Sequence, residues 1–562
     1  MTRPPATLAQ LLRTLRKSVP VPLAAVLALA FLLPVTAARA DSTFVDAGQV
    51  SGRWSLDGSP YVLRGVIEIA AHDTLQISPG VRILFAGPAR IEVSGTLLAL
   101  GADGDSIVFT TDTVVNPDGW AGLRLSGVGS SARLEYCLLE HARTLGSNDF
   151  GLGGAIFCDH GQLVLFKCTI RHCRALSGSG LFARNASVLT ISESVIRDNG
   201  NLSGCGGAIC LRSGSLLTMA DCDVAFNTSL YGAGLCVDAS TAIIENSAIR
   251  KNTAAVWGGG LFCSAATVTL RNCLISGNAS VGGGGLDGRW EVWLTMERCV
   301  VANNASVRVG AEGPGGGMIL QGGEQWISNC TFVGNFAAQG GAIYGGNSMH
   351  LFNSIVAGHP TGRGLYFTSA GADVRYCCFS GNEGGNFAGL NIPAYLGQLV
   401  RVNANGDSCD SYLNIFLDPA FNDSAEVRYS LTAGSPCVDA GSPFSPRDPD
   451  GTVTDMGAYP YDQANGSVET PAALPQQLVL HPAYPNPFNP TTALVFDLPL
   501  TGRVSLKIFD LLGREVALLA DRPMSAGSHT LEWNAATQCS GTYFAVLESS
   551  GARFVQKLLL LK

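Results

Sequence analysis

Charge is scarce in this sequence. Only 14% of its 562 residues are Asp, Glu, Lys or Arg, the net charge is −8, and His numbers eight. A negative balance without a basic footprint points away from a nucleic-acid partner. After residue 40 no apolar run is long enough to span a membrane, so the mature chain is read as having no transmembrane segment. Amphipathic helical stretches are missing too, which excludes leucine-rich and α-solenoid repeats. There is no HExxH, no CxxC pair, no P-loop and no nucleophile elbow, so the chemistries those motifs signal have no local mark here.

What the chain does have is apolar residues (46%), 68 Gly and 17 Cys, and a pattern that orders them. From Cys137 to Asn382 a unit of about 26 residues recurs, reading small-or-Cys, any, apolar, any, any, Asn. Its register positions are Cys137, Cys168, Ser194, Cys222, Ser247, Cys273, Cys299, Cys330, Ser354 and Cys377. Five residues after seven of them comes Asn199, Asn227, Asn252, Asn278, Asn304, Asn335 or Asn382; Ala142, Cys173 and His359 fill the other three rungs. The positions two after and three before each register residue are always apolar. An inward set that skips a beat between −3 and the register residue requires a corner at −2 and −1.

A glycine signature precedes each unit, as in Gly206-Gly207-Ala208, Gly258-Gly259-Gly260 and Gly340-Gly341-Ala342. Glycine there permits positive φ or close approach between stacked coils. Short strands stacked at a fixed period predict an all-β fold, a right-handed parallel β-helix whose inward residues form one continuous core. The Asn rungs are expected to form a ladder, with Asn in the left-handed region and bonded to backbone or to the next Asn. The Cys rungs read either as buried free thiols, the preferred reading because Ser substitutes in the register, or as disulfides between coils.

The ends divide the chain. Residues 1–40 read as an export signal: Arg3, Arg13, Arg16 and Lys17 precede the apolar run from Val21 to Val35, and Ala38-Arg39-Ala40 fits small-x-small cleavage. Residues 41–462 are assigned to the β-helix, with opening coils at 41–130 that close the solenoid's end, regular repeats at 131–385 and a closing segment at 386–462. A linker at 463–480 precedes about 80 residues, 481–562, whose alternating strands predict a small C-terminal β-sandwich.

That last segment opens on Asn486-Pro487-Phe488-Asn489-Pro490. It continues through the Gly513-Arg514-Glu515-Val516 turn and the Ser540-Gly541-Thr542-Tyr543 strand start to an apolar tail between Lys557 and Lys562. It resembles the type A C-terminal sorting domain of the type IX secretion system, a relative of the immunoglobulin-like domain of the flagellar hook-capping protein. The resemblance covers 481–562. It implies Sec passage across the inner membrane and then outer-membrane passage through the type IX machinery. The destination is the medium or the outer-membrane surface of a Gram-negative-type bacterium. Residues 41–462 resemble the pectin-lyase-like superfamily in fold, and that fold hosts polysaccharide lyases and glycosidases without itself supplying function.

Three groups of residues are candidates for chemistry. At +3 and +4 of successive coils stand Glu140-His141, Arg171-His172, Arg197-Asp198 and Arg250-Lys251. The stripe His141, Arg171, His172, Arg197 and Arg250 could bind an acidic glycan or supply a base; solvated turn residues are the plainer reading. Tyr231 and Trp257 precede the glycine triplets of adjacent coils, with Trp290 and Trp293 one coil on. They could stack on a sugar ring or simply cover the glycines. Asp448, Asp450 and Asp455 are spaced like oxygen ligands of a calcium loop without its closing Glu, or like an Asp-capped turn. Glu193 and Asp221 share a register and could face each other as a glycosidase pair or stand as solvated corner residues. The leading expectation is an exported binding or structural module, toward polysaccharide. The alternatives are a polysaccharide lyase or glycoside hydrolase on an acidic glycan, and an adhesin.

Overall fold

The computed structural model describes residues 42–561 apart from 113–115, 423–428, 464–466, 469–477, 499–501 and isolated positions or pairs. The expected export signal and most of the linker lie outside these residues. Each coil but the last contributes a strand to each of three parallel sheets, and the last reaches only the first two, giving two sheets of fourteen strands and one of thirteen. In one coil, Ile156–Asp159 belongs to the second sheet, Gln162–Phe166 to the third and Thr169–Arg171 to the first. Each strand pairs in register with its equivalent one coil on, as Thr169, Ile170 and Arg171 do with Val195, Ile196 and Arg197. Inward residues such as Leu165, Ile170 and Ile191 are fully buried in one core running from Trp54 to Leu396. Among the described residues no helix is long and apolar enough to cross a membrane.

The skipped beat in the pattern is a left-handed residue. At −1 all ten coils, from Tyr136 to Tyr376, have φ between 46° and 54°. The −2 residue stays in the strand of the third sheet, so the corner is one residue rather than two. A second corner lies at +4, where His141, His172, Asp198, Phe226, Lys251 and their equivalents have φ between 53° and 64°. These two positions fall just before the Cys rung and just before the Asn rung, and both rungs therefore point inward.

That second corner corrects the expectation for the Asn rungs. The left-handed residue is the one before each Asn, while the Asn itself is buried and bonded on both sides. Asn252 donates from its backbone N–H and from Nδ2 to Asn278 Oδ1, at 3.0 Å each, and Asn278 Nδ2 donates to Ile249 O at 2.8 Å. The same exchange runs from Asn199 to Asn335. His359 continues it, with Nδ1 accepting the Asn335 N–H at 3.0 Å. The register rungs are free thiols, as preferred: all 17 cysteines are unpaired and 16 are buried. The first glycine of each triplet adopts φ of 57° to 69°. The second, such as Gly259, sits where a Cβ would meet carbonyl oxygens of the neighbouring coil.

Two further findings sharpen the domain plan. Residues 43–130 are full members of the same three sheets, beginning with Thr43–Val45 and Gly48–Gln49, rather than a separate cap. The closing segment extends the solenoid by one rung, where Asn414 Oδ1 accepts the Cys377 N–H at 2.9 Å, and then turns back along the outer face of the first sheet. It covers Val300, Ala302, Ile355, Ala357 and Cys378 with Leu431, Cys437, Met456 and Ala458. Outward residues of the first sheet are accordingly apolar in the later coils and charged in the earlier ones. The C-terminal segment is two antiparallel sheets of three and four strands around Phe488, Leu494, Phe496, Leu506, Trp533 and Leu547. Its Asn486 clamps the last strand: Oδ1 accepts the Leu559 N–H and Nδ2 donates to Lys557 O.

Candidate functional site

The charged stripe forms on the uncovered half of the first sheet, and most of its charge is spent within the stripe. Arg171 bonds Glu140 through Nε and Nη2 at 2.9 and 2.8 Å, Arg197 bonds Asp198 at 2.6 Å, and Arg250 grips both oxygens of Asp223 at 2.8 and 2.6 Å. His141 and His172 stack with ring centres 5.4 Å apart. Burial, with help from His172 and Arg171, pulls the His141 imidazole below its usual value despite the Glu140 carboxylate.

The two His and Asp198 line a cleft of about 440 Å³ together with Arg143 and Arg174. A second cleft of about 500 Å³ adjoins it and shares Arg143, Arg174 and Asp198. Nothing in the repeat pattern marks those two arginines. They stand two residues beyond the +4 corner, a register at which only these coils place Arg. Arg143 lies 3.5 Å from Asp118, and among the described residues Arg174 makes no ion pair. Any affinity of this cleft for an anion therefore rests more on Arg143 and Arg174 than on Arg171, Arg197 or Arg250.

The aromatic group lies across the glycine turn, against the outer face of the second sheet. Tyr231 and Trp257 pack 5.2 Å apart, each 5.9 Å from Phe262, and the Arg289 guanidinium sits 4.1 Å above the Trp257 ring. Trp290, 58% exposed, meets Trp257 edge-on at 6.1 Å. Trp293 does not join them. The turn at Trp290 and Glu291, with φ of 53° and 61°, sends the chain into the third sheet, where Trp293 opens the strand Trp293–Glu297. Tyr231 and Trp257 are half-buried, so the exposed ring that a ligand would meet first is Trp290.

The acidic loop packs against the first sheet, and its carboxylates face donors. Asp448 accepts from Arg298 and from the Asp455 N–H; Asp450 accepts from Thr452 and from the Gln463 N–H; Asp455 accepts from the Asp439 and Tyr461 N–H groups, both at 2.7 Å. Burial pushes the Asp455 carboxyl up to about 7. Asp450 caps its own turn through the Thr452 N–H, while Asp448 and Asp455 tie together more distant stretches of backbone. Glu193 and Asp221 occupy the left-handed −1 corner of adjacent coils. Burial, then Glu193 and Glu245, pushes the Asp221 carboxyl up to about 6, and Glu193 also lies 3.4 Å from Lys167.

Sequence comparison agrees with this architecture. Residues 121–307 and 201–358 match the family described as right handed beta helix region, and residues 482–561 match the secretion system C-terminal sorting domain. No curated protein matches the chain. A β-helix joined to a type IX sorting domain is an exported chain destined for the medium or the cell surface, and the secretion machinery is a partner of its tail.

Proposed function

We propose that this exported β-helix protein is a carbohydrate-binding module whose sugar-stacking platform is Trp290 with Trp257 and Tyr231. The observation that carries the reading is the exposure of Trp290 beside an aromatic cluster already braced by Phe262 and Arg289. An amphipathic ring held rigid by neighbours stacks on a sugar face at low entropic cost. Carboxylated sugars further along the same polysaccharide would find cations at Arg143 and Arg174, several coils nearer the N-terminal end. On a glycan array the native chain binds a polysaccharide class, and Trp257→Ala and Trp290→Ala reduce that signal tenfold or more. Unchanged binding by both variants overturns the reading.

A second reading, glycoside hydrolysis or lyase chemistry on an acidic glycan, draws on Asp221. A carboxyl pushed up to about 6 beside a second carboxylate is the usual pairing of a general acid with its partner. Reducing-sugar release and unsaturated-product absorbance on a panel of acidic polysaccharides test it. Turnover that Asp221→Asn abolishes supports this reading, and no turnover on the panel removes it.

A further inference from the structure

Outward from the second sheet one row of side chains runs Phe157, Phe182, Cys210, Cys236, Phe262, each paired in register with the next. Two adjacent cysteines thus interrupt a stack of phenylalanines. The row that covers this face, just before the glycines, places its own cysteine, Cys205, over that interruption, where it packs with both. The three sulfurs lie within 4.8 Å of one another, and Cys205 and Cys210 are 3.5 Å apart.

These thiols differ from those of the register row. Cys168, Cys273 and Cys299 each reach backbone carbonyls at 3.1 to 3.4 Å, so their S–H groups have partners in the wall. Cys205 instead contacts Cys210 and the Arg212 guanidinium, whose Nη2 lies 3.0 Å from its sulfur. Sulfur ligands about 2.3 Å from a metal ion stand roughly 3.8 Å apart, inside the range found here. A disulfide would need about 2 Å between two of them and would leave the third unused.

We propose that Cys205, Cys210 and Cys236 form a site for one thiophilic d10 cation, with Zn(II) favoured by charge. Three thiolates and a divalent ion carry one net negative charge, and Arg212 cancels it, which a buried site requires. The Ser177 hydroxyl, 4.0 Å from the Cys205 sulfur, is the nearest oxygen for a fourth position. Cys205 and Cys210 belong to one coil and Cys236 to the next, so the ion would staple two coils at the centre of the second sheet.

The test uses the full chain, reduced and stripped of metal, titrated with Cd(II) and followed by thiolate-to-metal absorption and by native mass spectrometry. One Cd(II) per chain is expected, displaced competitively by Zn(II). Cys210→Ser and Cys236→Ser lose it, Cys205→Ser binds at least tenfold more weakly, and the register-row variant Cys273→Ser binds as the native chain does. Circular dichroism confirms that each variant keeps its β-structure, and Cys205→Ser, altered outside the sheet, is the variant to rely on if the others unfold. Absence of the band, its survival in Cys205→Ser, or a Cys205–Cys210 disulfide in the exported chain overturns the proposal.

Discussion

The inner wall and the outer faces of the solenoid obey different rules. Inside, coil follows coil almost unchanged: a left-handed corner, a thiol or hydroxyl, an aliphatic residue, a second corner, an Asn. Outside, the first sheet carries salt-bridged charge in its early coils and apolar residues under the closing segment in its later ones, while the second carries aromatics and a cysteine cluster. The difference follows from what each side chain meets. An inward position meets its own copy a strand spacing away, about 4.8 Å, so whatever satisfies one rung must satisfy the next. An outward position meets solvent or a unique segment and is free to vary.

This contrast predicts large stability effects from wall substitutions and small ones outside. Gly258→Val is the most severe case, because φ there is 63° and a Cβ would strike the Leu261 carbonyl oxygen. A loss of more than about 3 kcal/mol in chemical denaturation is expected, and a loss below about 1 would break the comparison. Asn278→Ala comes next. It deprives two donors of Asn252 of their acceptor and the Ile249 carbonyl of a donor, for a loss on the order of 3 kcal/mol.

His359 gives the wall a pH dependence. Burial holds its imidazole down at about 3, whereas the unfolded side chain titrates near its ordinary value of 6.5. The unfolded state therefore binds the extra proton between those values. This contribution to stability is complete above pH 6.5 and is lost as pH falls toward 3, at up to about 1.4 kcal/mol per pH unit. His359→Asn, which restores the usual rung, is expected to flatten the acid limb of a melting-temperature profile; an unaltered limb would place the effect elsewhere. On the outer face, Arg250→Ala should cost no more than about 1 kcal/mol, because its partly exposed pair with Asp223 is screened by solvent. Smallest of all, calcium is expected to leave the melting temperature unmoved, since both oxygens of Asp448, Asp450 and Asp455 already accept protein donors. A clear upward shift would restore the calcium reading of that loop.

The period made the wall legible in the sequence, because identical environments demand similar residues at fixed spacing. It set Arg171, Arg197 and Arg250 at one register of the first sheet and His141 and His172 at the corner that follows. Ion pairing was hidden from it, since Asp223 reaches Arg250 from the neighbouring coil and Asp198 reaches Arg197 from the corner itself. Trp293 was grouped with Trp290 because spacing alone does not reveal that the turn between them changes sheet. The Cys205 cluster escaped for a related reason: Cys205 lies in a connection of irregular length, outside the register that ordered the other cysteines. The closing segment's return along the first sheet was signalled only indirectly, by Val300, Ala302, Ile355 and Ala357 at positions that are charged in earlier coils.

The most direct test compares Trp290→Ala with Asn278→Ala for both melting temperature and binding to the polysaccharide class that the native chain selects. Trp290→Ala is expected to melt as the native chain does yet lose tenfold or more in binding, whereas Asn278→Ala melts lower and, while folded, binds normally. A Trp290→Ala chain that binds as well as the native one would contradict this expectation.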